Sequence, residues 1–258
     1  LTPRKATPKR PVTEWWADYF DTRYLLEYEP IFSVETDRRD VARLIEVMEA
    51  PSGSRILDVP CGQGRHAHLL AEAGFDVTGL DYSEVLLKQA RKRGTSPSLR
   101  YVQGDMRALS ADWTGRFDVV ANLFTSFGFF AHPADDARVI REFARVLTPG
   151  GLLLWHGGSR DGVMARFISR DWWSTADGTM IGHERAFDPV SGFLTVRTTV
   201  KGKTTVEREH RIRLYTASRL AELCADAGLV VEQVFDGWND RAVTRRSSEM
   251  LVVARKEG

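Results

Sequence analysis

The stretch Arg55-Ile-Leu-Asp-Val-Pro-Cys-Gly-Gln-Gly-Arg-His-Ala-His-Leu-Leu70 admits few folds. Ile56, Leu57 and Val59 form a short apolar run with β-branched members, which reads as a buried strand. Gly62 and Gly64 interrupt it, and Ala67, Leu69, Leu70, Ala71 and Ala73 then follow with helical spacing. A strand that turns through glycines into a helix presents unpaired first-turn amides, and the missing Cβ atoms let a ligand approach bare backbone. Gly62-x-Gly64-x-x-Ala67 also satisfies the dinucleotide pattern. By itself the loop therefore points to a nucleotide-type ligand and no further.

The chain beyond the loop supplies the layers around it. Phe75 to Asp81 reads as a second strand ending in an acid, and Ser83 is placed to cap a helix running to Arg93. Leu99 to Asp105 gives a third strand, again closed by an acid, and Phe117 to Leu123 a fourth. A helix from Pro133 to Leu147 carries Val139, Ile140, Phe143 and Val146 on its apolar side. Thr148-Pro-Gly-Gly151 should stop it before a fifth strand, Leu152 to His156. Strands alternating with helices imply an α/β fold, a doubly wound parallel sheet with helices on both faces and ligands at the strands' carboxyl ends.

That position gives the acids a role. Asp81 ends the strand adjacent to the glycine loop and can accept from a vicinal ribose diol. Asp105 can accept from an adenine amino group while Met106 lies against the ring. A second acid there is foreign to the dinucleotide fingerprint and favours another adenosine-containing cofactor over nicotinamide.

With Asp58, Gly62, Gly64, Asp81 and Gly104-Asp105-Met106 in order, the sequence resembles the class I S-adenosylmethionine-dependent methyltransferases of small-molecule type from about Arg55 to His156. The family's Asp-x-Gly-x-Gly-x-Gly stands here as Asp58-Val-Pro-Cys-Gly-Gln-Gly64, with Pro60 at the first glycine. A position filled by proline needs neither an amide donor nor positive φ. The resemblance implies S-adenosylmethionine as cofactor and S-adenosylhomocysteine as product. It places Asp58 near the methionine amino group, Asp81 on the ribose, and Asp105 with Met106 on adenine. Tyr82 and Asn122 are counted with these cofactor-binding residues. It also implies a Rossmann-like sheet with an antiparallel last strand, for which Ser248 to Arg255 is the candidate.

Two further segments are candidates for an acceptor site. Glu14 to Phe32 holds Trp15, Trp16, Tyr19, Phe20, Tyr24, Tyr28 and Phe32, and reads either as a docked helix pair or as a cover. Runs at Trp172–Ser174, Thr179–Phe187, Phe193–Val200 and Thr204–Tyr215, with Asp188-Pro-Val-Ser-Gly192 and Lys201-Gly-Lys203 as turns, read as an inserted antiparallel β-hairpin sheet. In similar methyltransferases such an insertion forms a wall of the acceptor pocket. The organisation expected is thus a tail at 1–12, a helical cover at 13–53, the core at 54–157, the insertion at 158–215 and the end of the core at 216–258. Trp16, Tyr24, Phe127 and Phe129 are the candidate acceptor-binding residues, and His156 and His132 the candidate bases.

Charge and cysteines narrow the partners. A formal net charge of +1 gives the whole chain no bias toward nucleic acid or an acidic membrane, though Arg4, Lys5, Lys9 and Arg10 make the first segment basic. The loop after the fourth strand, Asn122-Leu-Phe-Thr-Ser-Phe-Gly128, lacks the Asn/Asp-Pro-Pro-aromatic motif of enzymes that methylate base amines. Cys61 and Cys224 lack metal-ligand spacing, no metal site is expected, and a reducing cytoplasm is the natural compartment. No apolar run reaches membrane-spanning length. The expectation is methyl transfer to a nitrogen or oxygen of a small molecule, with the oligomeric state open. The competing readings are a nicotinamide-dependent oxidoreductase and a non-catalytic cofactor- or RNA-binding module.

Overall fold

A computed structural model describes residues 14–28, 32–175, 178–202 and 204–258. The basic tail expected at 1–12 lies outside them, as do Pro30 and Ile31 of the aromatic segment and Lys203 of one expected turn. The chain begins with three helices, α1 (Trp16–Tyr19), α2 (Thr22–Tyr28) and α3 (Val34–Met48). It continues with β1 (Arg55–Asp58), α4 (Arg65–Glu72), β2 (Asp76–Asp81), α5 (Glu84–Arg93), β3 (Leu99–Gln103), β4 (Phe117–Asn122), α6 (Pro133–Val146) and β5 (Leu147–Gly158). Then come α7 (Arg160–Ala165), β6 (Arg170–Ser174), β7 (Met180–Phe187), β8 (Phe193–Lys201) and β9 (Thr205–Arg213). The chain closes with α8 (Ala217–Ala225), β10 (Leu229–Phe235) and β11 (Glu249–Lys256).

Seven strands form one sheet in the order β10-β11-β5-β4-β1-β2-β3. β1 pairs in parallel with both β2 and β4, whereas β11 runs antiparallel to β5 and to β10. Alternation along each strand explains the two apolar layers. Leu57, Val120, Leu153 and Val252 face the side packed by Val139, Ile140 and Phe143 of α6 and Leu220 and Leu223 of α8. Ile56, Val119, Leu154 and Val253 face the other, against Val41, Leu44 and Met48 of α3 and Ala67 and Leu70 of α4. The helix starts follow from local chemistry: Ser33 accepts from the Thr36 amide and Ser83 from the Leu86 amide, each at a first helical turn.

Two local expectations need correction. Thr148-Pro-Gly-Gly151 does not separate helix from strand, because β5 starts at Leu147, pairs Leu147 with Phe117, and absorbs the irregular residues in a register shift. α7 was not foreseen. It packs against the 247–248 backbone at Gly162, where any Cβ would collide with the Ser247 carbonyl.

β6 to β9 form a separate four-stranded antiparallel sheet. Asp188, Ser191 and Gly192 make the turn between β7 and β8, the Asp188 carboxylate accepting from the Val190 amide and the Ser191 hydroxyl. A buried clamp joins this sheet to the core. Asp136 of α6, fully buried, accepts from Arg213 of β9 and from the Tyr215 hydroxyl at 2.7 Å. One carboxylate thus holds Arg213 and Tyr215, nearly eighty residues away in the chain. The α1–α2 cover is tied to the same sheet through Arg208 of β9, which donates to the Tyr19 carbonyl, pairs with Glu27 at 3.3 Å and lies over the Tyr19 ring. Among the described residues no helix is long and apolar enough to cross a membrane.

Candidate functional site

The turn after β1 sets the geometry of the carboxyl edge of the sheet. Gly62 and Gly64 adopt φ of 56° and 73°, where side chains are strained. A Cβ on Gly64 would also lie 2.5 Å from the Tyr101 hydroxyl and 2.9 Å from Ala90. One reason for glycine is thus the turn's own backbone, and the other is the approach of β3 and α5. Pro60, joined to Val59 by a cis bond, borders two of the hollows that open around the loop.

The first hollow runs over Gly62, Asp81, Tyr82, Gly104, Asp105 and Met106 and is roofed by Trp16, Phe20 and Phe130. The Asp81 carboxylate accepts from the Gly62 amide at 2.8 Å with one oxygen and from the Ser83 amide at 2.7 Å with the other. Both oxygens are therefore fixed and retain acceptor capacity for a vicinal diol. Burial pushes its pKa up to about 6 against these amides. Asp105 is forked by Arg107, with contacts of 2.6 to 3.1 Å, and Arg107 lies over the rings of Trp16 and Phe130. Tyr82 meets Trp16 edge to face at 4.8 Å.

The second hollow holds an acid and a cation, each with one buried atom that has no hydrogen-bond partner. Asp58 is buried, one of its carboxylate oxygens has no hydrogen-bond partner, and burial pushes its pKa up to about 7. Arg65, first residue of α4, donates to Asp37 at 2.6 Å and sits 3.7 Å from Asp40, both on α3. Its guanidinium lies over the rings of Phe32 and Phe124, at 5.0 and 4.6 Å, and its Nη2 has no hydrogen-bond partner. Both residues line the hollow with Tyr24, Gly62 and Ser126. Buried polar atoms are normally satisfied, so a free acceptor and a free donor sharing one hollow fit an amino acid zwitterion. His66 beside them is buried with its pKa lowered to about 4, hence neutral.

The third space is a cavity of about 410 Å³ between the cover, the loop after β4 and the face of the four-stranded sheet. Trp15, Tyr19, Phe20, Tyr28, Leu194, Val196 and Ile212 make it largely apolar. His210 and Glu249 are its main ionisable members besides the tyrosines. His210 meets the Tyr19 hydroxyl at 3.0 Å through Nδ1, and burial lowers its pKa to about 4. Burial likewise raises the tyrosines, Tyr28 to about 12. Glu249 is held below the usual carboxylate range by His156, 3.4 Å away.

Tyr24 and Ser126 border all three spaces. Phe20 and Phe129 join the first to the third, and Phe124 the second to the third. The loop that carries this junction is strained: Phe124 and Thr125 take φ of 57° and 60°, and the Thr125 amide donates to the His156 carbonyl. Non-glycine residues in that region cost about 1–3 kcal/mol each, which fits a loop held for its geometry.

The structure brings Asp58, Gly62, Asp81, Tyr82, Asp105 and Met106 to the edges of the first two hollows, and Trp16, Tyr24 and Phe129 to the first and third spaces. Gly64 caps α4 just behind them. Four candidates lie elsewhere. The Asn122 carboxamide is fully buried and donates to the Val59 carbonyl, tying β4 to β1. Phe127 is core, packed on Trp155 and Tyr215. His132 is exposed at the N-cap of α6. The His156 ring points to the α3–α4 side of β5, stacked on Trp238 at 4.2 Å, and does not line the cavity. Arg65, Ser126 and Glu249 are the site residues that sequence reasoning passed over, whereas His210, on the expected insertion, was placed to face the pocket and does line it. Arg65 stood next to Gly64 and carried a local signal, whereas Glu249 needed the β5–β11 register to be seen.

Comparison with known proteins accords with this geometry. Residues 56–151 match a family described as a methyltransferase domain. The chain is 30% identical over 233 residues to dTDP-3-amino-3,4,6-trideoxy-alpha-D-glucopyranose N,N-dimethyltransferase of Streptomyces venezuelae, covering 88% of this chain and 95% of that protein. It is 33% identical over 155 residues to glycine/sarcosine N-methyltransferase of Halorhodospira halochloris, covering 58% and 57%. Among solved structures, the CcbJ methyltransferase from Streptomyces caelestis superposes with a TM-score of 0.76 at 21% identity, covering 86% of this chain and 90% of that one. An amino pentose methyltransferase from Micromonospora echinaspora, solved with S-adenosylmethionine bound, gives 0.68 at 24% identity, covering 92% and 98%.

Proposed function

Because the chain belongs to the class I S-adenosylmethionine-dependent methyltransferases, we propose that it methylates an amine of a small molecule, an amino sugar or a comparable specialised metabolite. The observation that carries this reading is the junction at Tyr24 and Ser126, which border both proposed cofactor hollows and the aromatic cavity. S-adenosylmethionine, and not a nicotinamide, is the cofactor. Its residues are present in matching chemistry: Asp81 for the ribose, Asp105 and Met106 for adenine, and Asp58 with Arg65 for the methionine zwitterion.

The cofactor brings a methyl group already activated on a sulfonium. The protein's part is to bring a neutral amine to that carbon and keep water away. Phe20, Tyr24, Phe124 and Phe129 line the cavity at the junction, and aromatic rings suit a cation at about 0.5–2 kcal/mol each and shed water from an incoming amine. Positioning of this kind supplies about 7–11 kcal/mol of barrier lowering. A strong base is not built into the cavity wall: His210 has its pKa lowered to about 4, so it is neutral near pH 7 and orients through hydrogen bonds. Glu249, ionised, can take an ammonium or hydroxyl elsewhere on the acceptor. One relative matched over nearly its full length is an amino-sugar N,N-dimethyltransferase, which supports nitrogen over oxygen.

The test is methyl incorporation from labelled S-adenosylmethionine into a panel of amino sugars, each paired with its N-acetyl derivative and with a hydroxyl replacing the amine. Incorporation confined to free amines is expected. Turnover confined to the hydroxyl series would overturn the nitrogen reading.

A further inference from the structure

Asp81 and Asp105 border the same hollow but are held by different means. Asp81 rests one oxygen on each of two backbone amides, those of Gly62 and Ser83. Asp105 accepts from one backbone amide, that of Arg107 at 2.8 Å, and from the Arg107 side chain. A turn that returns the Ala108 amide to the Asp105 carbonyl at 3.0 Å brings the two side chains together. Arg107 Nε then donates to both Asp105 oxygens, at 3.1 and 3.0 Å, and Nη2 donates to Oδ2 at 2.6 Å.

Three other groups hold Arg107 in turn. Its guanidinium lies over the Trp16 ring at 5.1 Å and the Phe130 ring at 4.6 Å, and Nη2 also donates to Glu14 at 3.2 Å. Both rings border the hollow, whereas Arg107 does not. Its hydrogen bonds therefore reach a ligand there only by way of Asp105. A forked guanidinium–carboxylate pair is planar, and rings across the guanidinium fix the orientation of that plane. Two carboxylate oxygens offer about four acceptor sites, so the fork leaves lone pairs free for the N–H of an exocyclic amine. A carbonyl at the same position would meet the carboxylate with no proton between them.

We propose that Arg107 is the positioning residue that makes the cofactor site specific for a 6-aminopurine, by holding Asp105 in the orientation that accepts the amine. The inference rests on the assignment of adenine to Asp105 above and adds the residue that gives this acid its selectivity. Because the same guanidinium packs on Trp16 and pairs with Glu14, recognition of the base is tied to the seat of the N-terminal cover.

Calorimetry on the full chain with S-adenosylhomocysteine and its 6-oxo analogue, S-inosylhomocysteine, tests it. The wild type should prefer the amino ligand by about a hundredfold or more, since a site built around a ligand N–H rejects the analogue lacking it. Arg107→Gln should weaken S-adenosylhomocysteine by about tenfold or more and S-inosylhomocysteine by no more than about twofold, collapsing the preference. Arg107→Lys keeps the charge but loses the fork, and should cut the preference by about threefold or more even where the glutamine variant does not fold. In an Asp105→Ala background, Arg107→Gln should change the ratio of the two affinities by less than about twofold, because no acid is left to position. Equal loss of both ligands in the Arg107 variants, or an undiminished effect without Asp105, would make the arginine purely structural and overturn the inference. So would a wild type that binds the two ligands alike. Failure of the wild type to bind S-adenosylhomocysteine would instead strike the cofactor reading beneath.

Discussion

In the proposed reading Asp58 and Arg65 hold the cofactor's methionine end, through a buried acceptor and a buried donor that have no hydrogen-bond partner. Burial raises the Asp58 pKa to about 7, above its usual value near 4. The ligand-free folded chain thus holds that proton more tightly than the unfolded one, so this group's contribution to stability falls as pH rises from about 4 through 7. An incoming ammonium needs the carboxylate and must expel the proton at lower pH. S-adenosylhomocysteine affinity should therefore weaken toward tenfold per unit as pH drops below about 6. Isothermal calorimetry at pH 6.5 in buffers of different ionisation heat should show proton release on binding. Asp58→Asn should remove both the release and the burial cost, raising the thermal midpoint of the free protein at pH 8 while weakening the ligand. Arg65 carries the complementary prediction. Arg65→Gln should weaken S-adenosylmethionine at least tenfold but leave methylthioadenosine, which lacks the α-amino and α-carboxyl groups of the methionine end, within about twofold. Equal losses for both ligands would mean a purely structural arginine. The sequence disclosed Asp58 because a strand end followed by glycines is a contiguous pattern. It could not disclose the role of Arg65, which depends on Asp37 and Asp40 from another helix and on two aromatic rings.

Elements, too, differ in how openly the sequence announced them. α5 and α6 were legible because apolar spacing, a Ser83 cap and a proline at the first turn all agree locally. α7 was not, since its place is set by contact with the 247–248 backbone some eighty residues later. The antiparallel sheet of β6 to β9 was expected from alternation and turn residues. What fastens it to the core is the Asp136–Arg213–Tyr215 clamp, in which one buried carboxylate serves a guanidinium and a phenol. Burial raises the Asp136 pKa to about 6 despite both partners. Asp136→Ala strands a buried guanidinium and should cost about 3–5 kcal/mol in chemical denaturation. Tyr215→Phe, which removes one hydrogen bond to a charged acceptor, should cost about 1.5–3 kcal/mol. A loss below 1 kcal/mol for Asp136→Ala would show that the clamp is solvated.

Across the whole molecule, the two hollows proposed for the cofactor are shared between the parallel sheet, the N-terminal cover and the loop after β4. A ligand that touches all three should stabilise them together. S-adenosylhomocysteine at one hundred times its dissociation constant should add about 2.7 kcal/mol to unfolding, and hydrogen exchange should slow in residues 14–28 as well as in the glycine loop. Protection confined to the glycine loop would show that the cover does not close on the cofactor. The sequence by itself determined the α/β layering, the glycine turn and the acids at successive strand ends, because strand and helix periods, turn residues and caps are written in neighbouring positions. Tertiary structure alone decided which side chains meet at the site. His156 and Phe127 stood at the right strand and the right loop, yet the pleat of β5 and the core packing turn them from the cavity. His210 and Glu249 reach the site from distant segments, because contacts between remote residues depend on register and packing that no local pattern encodes.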